Sequence, residues 1–124
     1  MSKPAFSLWA FSLYMFALGA TLVAAPNIPL SLFGVPETHE VWIRIAGMLI
    51  LFIGYLDFMA SRHELHPFFA WTIPPRLSVP VFFAAFIALG WAPPILILFG
   101  VIDAAAALWT AACLRSEKRP SPAA

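Results

Sequence analysis

The sequence predicts an all-α fold: an integral membrane four-helix bundle, with the N and C termini on the same, cytoplasmic side. Three observations predict it. Hydrophobic residues make up 62% of the 124 residues and charged residues only 10%, whereas a soluble domain carries about 25% charged residues. Four stretches reach or approach the roughly 20 apolar residues of a spanning helix. Basic residues collect on one side of those stretches, as expected of cytoplasmic loops. So few charges cannot cover a water-facing surface, which makes lipid the natural solvent for most side chains. The four spans form one domain, residues 1–116, and the tail 117–124 is expected to be disordered. The net charge of +1 offers no field to recruit nucleic acid. The lone Cys113 excludes an intramolecular disulfide and reads as a small apolar residue.

The first span is residues 6–25, an uncharged run. It exceeds the roughly 7–15 residues of a signal-peptide core. Pro26 would also follow the cut after Val23-Ala24-Ala25, so the run reads as a retained transmembrane helix. Pro26, Pro29 and Pro36 then turn residues 26–40 into a structured loop, with Leu30, Leu32 and Phe33 dipping into the interface. The second span is residues 41–60, with Glu37 and Glu40 at its electropositive start and Thr38 as candidate N-cap. Residues 61–78 hold Arg62, His63, Glu64, His66 and Arg76 among Phe68, Phe69 and Trp71, and read as an interfacial loop with a short amphipathic element. The third span is expected at 78–91, with Pro80 in its first turn, and Pro93-Pro94 ends it. The fourth span is 95–114 and leads into Arg115, Lys118 and Arg119.

Numbering the faces by alternating the spans puts Lys3, Arg62, Arg76, Arg115, Lys118 and Arg119 on one side, six of the seven Lys and Arg residues. That side is expected to be the cytoplasm of a bacterial inner membrane.

Three charges fall inside the spans, where each costs roughly 2.5–3.5 kcal/mol on insertion scales. Asp103 lies nine residues into the fourth span, about 13 Å deep, and Arg44 three residues into the second, about 5 Å deep. An extended arginine can bridge that difference, so an Arg44–Asp103 ion pair is expected, with either a structural role or a ligand or proton role. Tyr55, Trp109 and Thr110 are expected to add polar groups to this intramembrane site. Asp57 is expected at the cytoplasmic interface with Arg62, Trp71 and Arg76. Gly100, Ala104, Ala107 and Ala111 form a small-residue stripe bordered by Asp103, and Gly47 and Gly54 share the face of Arg44. Small residues let membrane helices approach closely.

Catalytic signatures do not develop. His63-Glu64-Leu65-His66 has histidines at i and i+3, whereas a zinc-protease helix needs i and i+4. No histidine falls inside an expected span, so no metal is expected.

Certain residues carry a resemblance. They are Pro36-Glu37-Thr38 with Glu40 to Gly47, Gly54-Tyr55, Phe68 to Thr72 with Arg76, and Phe99 to Asp103 with Trp109-Thr110. Together they resemble a group of small four-helix proteins of the bacterial inner membrane. The four-span layout is similar, at fold level, to the DoxX-like superfamily. DoxX is associated with quinone-linked oxidation of sulfur compounds as an accessory subunit. The resemblance therefore implies an accessory role and carries over no catalytic residue.

The sequence thus points to a non-catalytic membrane protein. It is expected to be an accessory or assembly subunit, or a binder of an apolar ligand such as a quinone or lipid. The expected partners are the lipid bilayer and other membrane-protein subunits or a homo-oligomer. One alternative is a small proton-coupled transporter acting as a homodimer, with Asp103 as the coupling acid. Another is an enzyme of lipid or quinone chemistry, with Arg44, Asp103 and Tyr55 lining its pocket.

Overall fold

The structure, a computed structural model, describes residues 1–118. The described residues are helical throughout, apart from turns and loops. The helices are α1 (Lys3–Ala24), α2 (Asn27–Leu32), α3 (Trp42–Arg62), α4 (His66–Ala88), a 3₁₀ turn at Pro94–Leu96 and α5 (Ile97–Lys118). Four stretches, Lys3–Ala24, Trp42–Arg62, His66–Ala88 and Pro94–Glu117, are long and apolar enough to cross a membrane. The set is compatible with a helical bundle.

The third span differs most from expectation. It begins at His66, 12 residues ahead of Ser78, and absorbs the expected interfacial loop. Prolines 74, 75 and 80 all lie within α4. Each lacks the amide that would bond the carbonyl four residues earlier, which costs a water-exposed helix about 3 kcal/mol. In an apolar solvent the balance changes, because an unwound segment would leave many more polar groups unsatisfied. Local hydroxyls add bonds of their own: Thr72 Oγ1 donates to the Phe69 carbonyl at 2.8 Å, and Ser78 Oγ to the Pro75 carbonyl at 2.6 Å. The fourth helix also outruns expectation, reaching Lys118 rather than stopping at residue 114. The rest of the expected disordered tail, from residue 119, lies outside the described residues.

Three helices end in the same way. The amide three residues past the last helical residue reaches back five residues: Val35 to Leu30, Leu65 to Ala60 and Trp91 to Phe86, at 2.8, 3.1 and 2.9 Å. A second bond links Gly34 to Ser31, Glu64 to Ser61 and Gly90 to Ile87. This pattern, the Schellman motif, requires a left-handed residue at the turn, normally glycine. Gly34 (φ 70°) and Gly90 (φ 77°) fill it, but at the end of α3 the position is taken by Glu64 at φ 54°.

The chain divides into two compact units. One comprises Trp9–Met59; the other combines Met1–Leu8 with the chain from Ala60 onward. In the Trp9–Met59 unit, α1 and α3 meet at glycines. A Cβ on Gly19 would lie 2.8 Å from the Gly47 carbonyl oxygen, and a Cβ on Gly47 would lie 2.8 Å from that of Gly19. Gly54 abuts Met15 in the same way, at 2.9 Å. The expected contact role of Gly47 and Gly54 therefore has a named counterpart on α1. The loop after α2 closes through Asn27, whose side chain accepts from the Thr38 amide at 2.9 Å and donates to the Thr38 carbonyl at 3.1 Å. Thr38 is thus a loop residue rather than the N-cap of α3, whose first amides bond the Val41 carbonyl.

In the other unit α4 packs against α5. They approach closely at Gly100 and Pro80, where a Cβ on Gly100 would lie 2.8 Å from the Pro80 Cα. Ala107, on the expected small-residue stripe, is fully buried. The start of α1 belongs to this unit, where Ser7 Oγ and Thr110 Oγ1 lie 2.8 Å apart and both residues are fully buried. Beside them Phe6 and Trp109 meet edge to face, with centroids 6.1 Å apart.

Gly47→Leu is expected to destabilise the protein by about 1–3 kcal/mol, the usual cost of overpacking. Gly34→Ala, where the added Cβ meets open space but the left-handed backbone is strained, should cost about 1 kcal/mol. Thermal unfolding of both variants in one mild detergent checks the order.

Candidate functional site

Arg76 is the most deeply placed cation of the unit that contains it. It lies ten residues into α4, about 15 Å along the helix, and is only 6% exposed. Its guanidinium folds back over the preceding turn. Nη2 donates to Thr72 Oγ1 at 2.8 Å and Nε to the Thr72 carbonyl at 3.3 Å. Thr72 can serve because its own hydroxyl proton goes to Phe69, leaving a lone pair for the arginine. The charge of Arg76 reaches Asp103 on α5, a half-buried carboxylate. Pro80 removes the amide that would bond the Arg76 carbonyl, so a polar backbone group sits beside this pair of charges. The site is therefore an arginine and an aspartate on neighbouring helices, beside a backbone interrupted by prolines.

Arg76 was expected in the interfacial loop, because the third span was placed to begin at Ser78. The early start of α4 moves it inside a helix. Asp57 was likewise expected near the interface, and it is buried, at 3% exposure. Arg62 and Trp71 are exposed. Of the other expected site residues, Thr110 makes the inter-helix bond to Ser7, Trp109 meets Phe6 edge to face, and Tyr55 is exposed on α3.

Arg44 donates to the backbone carbonyls of Val23 and Ala24, the latter at 3.4 Å. These are the last carbonyls of α1, which lack intrahelical donors and carry the negative end of the helix dipole. The last turn of α1 contains no basic residue of its own, and Arg44 supplies the cation from α3. Arg44 and Asp103 thus each have a described partner within their own unit.

A second polar cluster joins the start of α1 to the turn between α3 and α4. Ser2 caps α1 by accepting from the Ala5 amide at 3.2 Å. The Ser2 amide donates to Glu64 Oε1 at 2.7 Å, and its hydroxyl donates to Oε2 at 2.6 Å. These two bonds from Ser2 hold the Glu64 carboxyl below its ordinary value of 4.5. They also give a reason for a glutamate at a left-handed position that glycine would fill without strain. His66 stands beside it, with Nδ1 3.0 Å from the Glu64 carbonyl and Nε2 3.0 Å from Glu117 Oε2. That contact ties the start of α4 to the last turn of α5. Among the described residues, no group of three or more His, Cys, Asp or Glu side chains could hold a metal ion.

The sequence reading missed Ser2, Ser7, Thr72 and Glu64 as partners. Ser2 followed by Pro4 is a recognisable helix start, but its distant carboxylate has no local signal.

Comparison with protein-family models, with curated proteins and with solved structures finds no match for this chain.

Two predictions follow from this geometry. Arg76→Leu should destabilise the protein more than the Arg76→Leu/Asp103→Leu pair does, because the single change leaves an uncompensated buried carboxylate. A double-mutant cycle on thermal unfolding in detergent measures the coupling. A double variant whose loss equals the sum of the two single losses would show that the charges are independent. Glu64→Gln should be less stable than the parent near neutral pH. A carboxyl lowered on folding contributes stability above its unfolded value, and that contribution is lost as pH falls through the folded value. The difference between parent and variant should therefore shrink as pH falls below the ordinary value of 4.5, read from unfolding midpoints at each pH.

Proposed function

We propose that the protein is a multi-pass protein of the bacterial inner membrane with both termini in the cytoplasm. In this reading it is an accessory or assembly subunit of a membrane complex, or a binder of an apolar ligand, a quinone or a lipid. The observation that carries the reading is Arg76, buried within a candidate span beside Asp103. Ionisable residues within a span are expensive and generally mark a functional site. A quinone carbonyl, a lipid headgroup and a polar side chain of another subunit are the chemistries suited to such a site. The resemblance to DoxX-like accessory proteins leans the same way.

Topology rests on charge. With Arg76 inside α4, five basic residues, Lys3, Arg62, Arg115, Lys118 and Arg119, flank the spans on one side. The other side has one, Arg44 in the first turn of α3. That bias directs both termini to the cytoplasm.

Extraction in mild detergent, followed by native mass spectrometry and organic extraction, tests the reading. A larger assembly or a retained lipophile is expected, and its yield should fall in Arg76→Gln. An empty, monodisperse chain would overturn the proposal.

One observation favours a second reading, a small proton-coupled transporter acting as a homodimer. Proline-interrupted spans near an intramembrane acid are a recurrent transport feature, and α4, though continuous, carries three internal prolines in the unit that holds Asp103. Full proton-driven uptake by Asp103→Asn in sealed vesicles would eliminate it.

A further inference from the structure

The last two turns of α5 carry a groove that the Arg76 site does not use. Its lining residues are Leu108, Ala111, Ala112, Arg115 and Ser116, and its volume is about 450 Å³. The spacing of these residues places them on one face of the helix. That face has two chemical halves. Toward the middle of the helix, Leu108 with the small side chains of Ala111 and Ala112 forms an apolar trough. Toward the C-terminus, Arg115 and Ser116 present five guanidinium donors and a hydroxyl. From Leu108 to Ser116 the groove runs eight residues, about 12 Å.

The charge at the polar half is available. Glu117 is the nearest acid in sequence, and it is held by His66 across the helix pair. Among the described residues no carboxylate lies within ion-pair distance of Arg115. The negative end of the α5 dipole opposes an anion here. Arg115, Lys118 and Arg119 outnumber Glu117 in the sequence and reverse that sign. A ligand that fits must be apolar over most of a nanometre and anionic at one end, with oxygens that match a guanidinium fork.

We propose that this groove holds an anionic phospholipid of the cytoplasmic leaflet, with its phosphate on Arg115 and Ser116 and an acyl chain along Ala112, Ala111 and Leu108. The inference rests on the membrane topology proposed above, which puts the end of α5 at the cytoplasmic surface. It adds to that reading a lipid class and a site separate from Arg76. Anionic lipids are concentrated in that leaflet, and basic residues next to a span attract them.

The test uses the full chain in mild detergent, incubated with equal amounts of phosphatidylglycerol and phosphatidylcholine and read by native mass spectrometry. Phosphatidylglycerol should be retained in preference. Arg115→Gln should lower its retention about five-fold, the weight of one basic residue at an anionic surface, and leave phosphatidylcholine unchanged. Arg115→Lys should keep most of the preference, which separates loss of charge from loss of fold. Ala112→Phe, which fills the trough, should reduce retention of both lipids. Arg62→Gln, an exposed arginine outside the groove, should change nothing. Excess inorganic phosphate should not displace the lipid, and displacement would mean a phosphate site rather than a lipid site. Absence of a phosphatidylglycerol preference, or an equal loss in Arg62→Gln and Arg115→Gln, overturns the proposal. A chain that keeps a quinone or a neutral lipid without that preference refutes the groove and leaves the broader functional reading standing.

Discussion

A polar group with no water to bond must find its partner within the chain, and most local features of this protein answer that requirement. In an apolar solvent an unsatisfied amide or carbonyl costs several kcal/mol, more than a typical side-chain contact returns. α4 runs unbroken through Pro74, Pro75 and Pro80, which a helix in an apolar solvent tolerates better than one in water. The helix ends close on themselves, with three Schellman turns recovering the carbonyls of α2, α3 and α4. The end of α1 closes differently, through the guanidinium of Arg44. Serine and threonine hydroxyls bond backwards along their own helices, as at Ser7, Ser12, Thr21 and Thr72.

The same requirement separates structural polar groups from one that suggests function. Ser7 and Thr110 satisfy each other and the carbonyls of Pro4 and Ala106, and nothing about them calls for a ligand. Arg44 completes a helix end. Arg76 bonds Thr72 within its own helix, and its charge also acts on Asp103 of α5. Glu64 adds a second case, in which a strained backbone position is retained by a side chain that the start of α1 uses twice.

Much of the architecture was legible in the sequence, because length and composition alone report a spanning helix. The bounds of the first two spans shift by only a few residues. The small residues Gly47, Gly54 and Gly100 stand at close helix contacts because no other feature explains a glycine within an apolar helix. The third span was less legible. The double proline at 74–75 and the charge at Arg76 both signal a loop in water, and both signals fail when the surroundings supply the missing bonds. That one displacement of a boundary places Arg76 within α4, where it is buried, rather than in a loop.

The sequence by itself determined the four apolar spans, the proline and glycine positions that separate them, and the one-sided distribution of basic residues. These properties are sums or local patterns along the chain, so they need no knowledge of neighbours. Tertiary structure alone decided which polar group meets which. Depth arithmetic can place Asp103 at a level, but pairing depends on the rotation of each helix and the identity of the element beside it. Two bounds a few residues off, or a helix begun 12 residues early, change the partner of every charge. The acid at position 103 thus feels an arginine from α4, and the arginine at position 44 serves the end of α1.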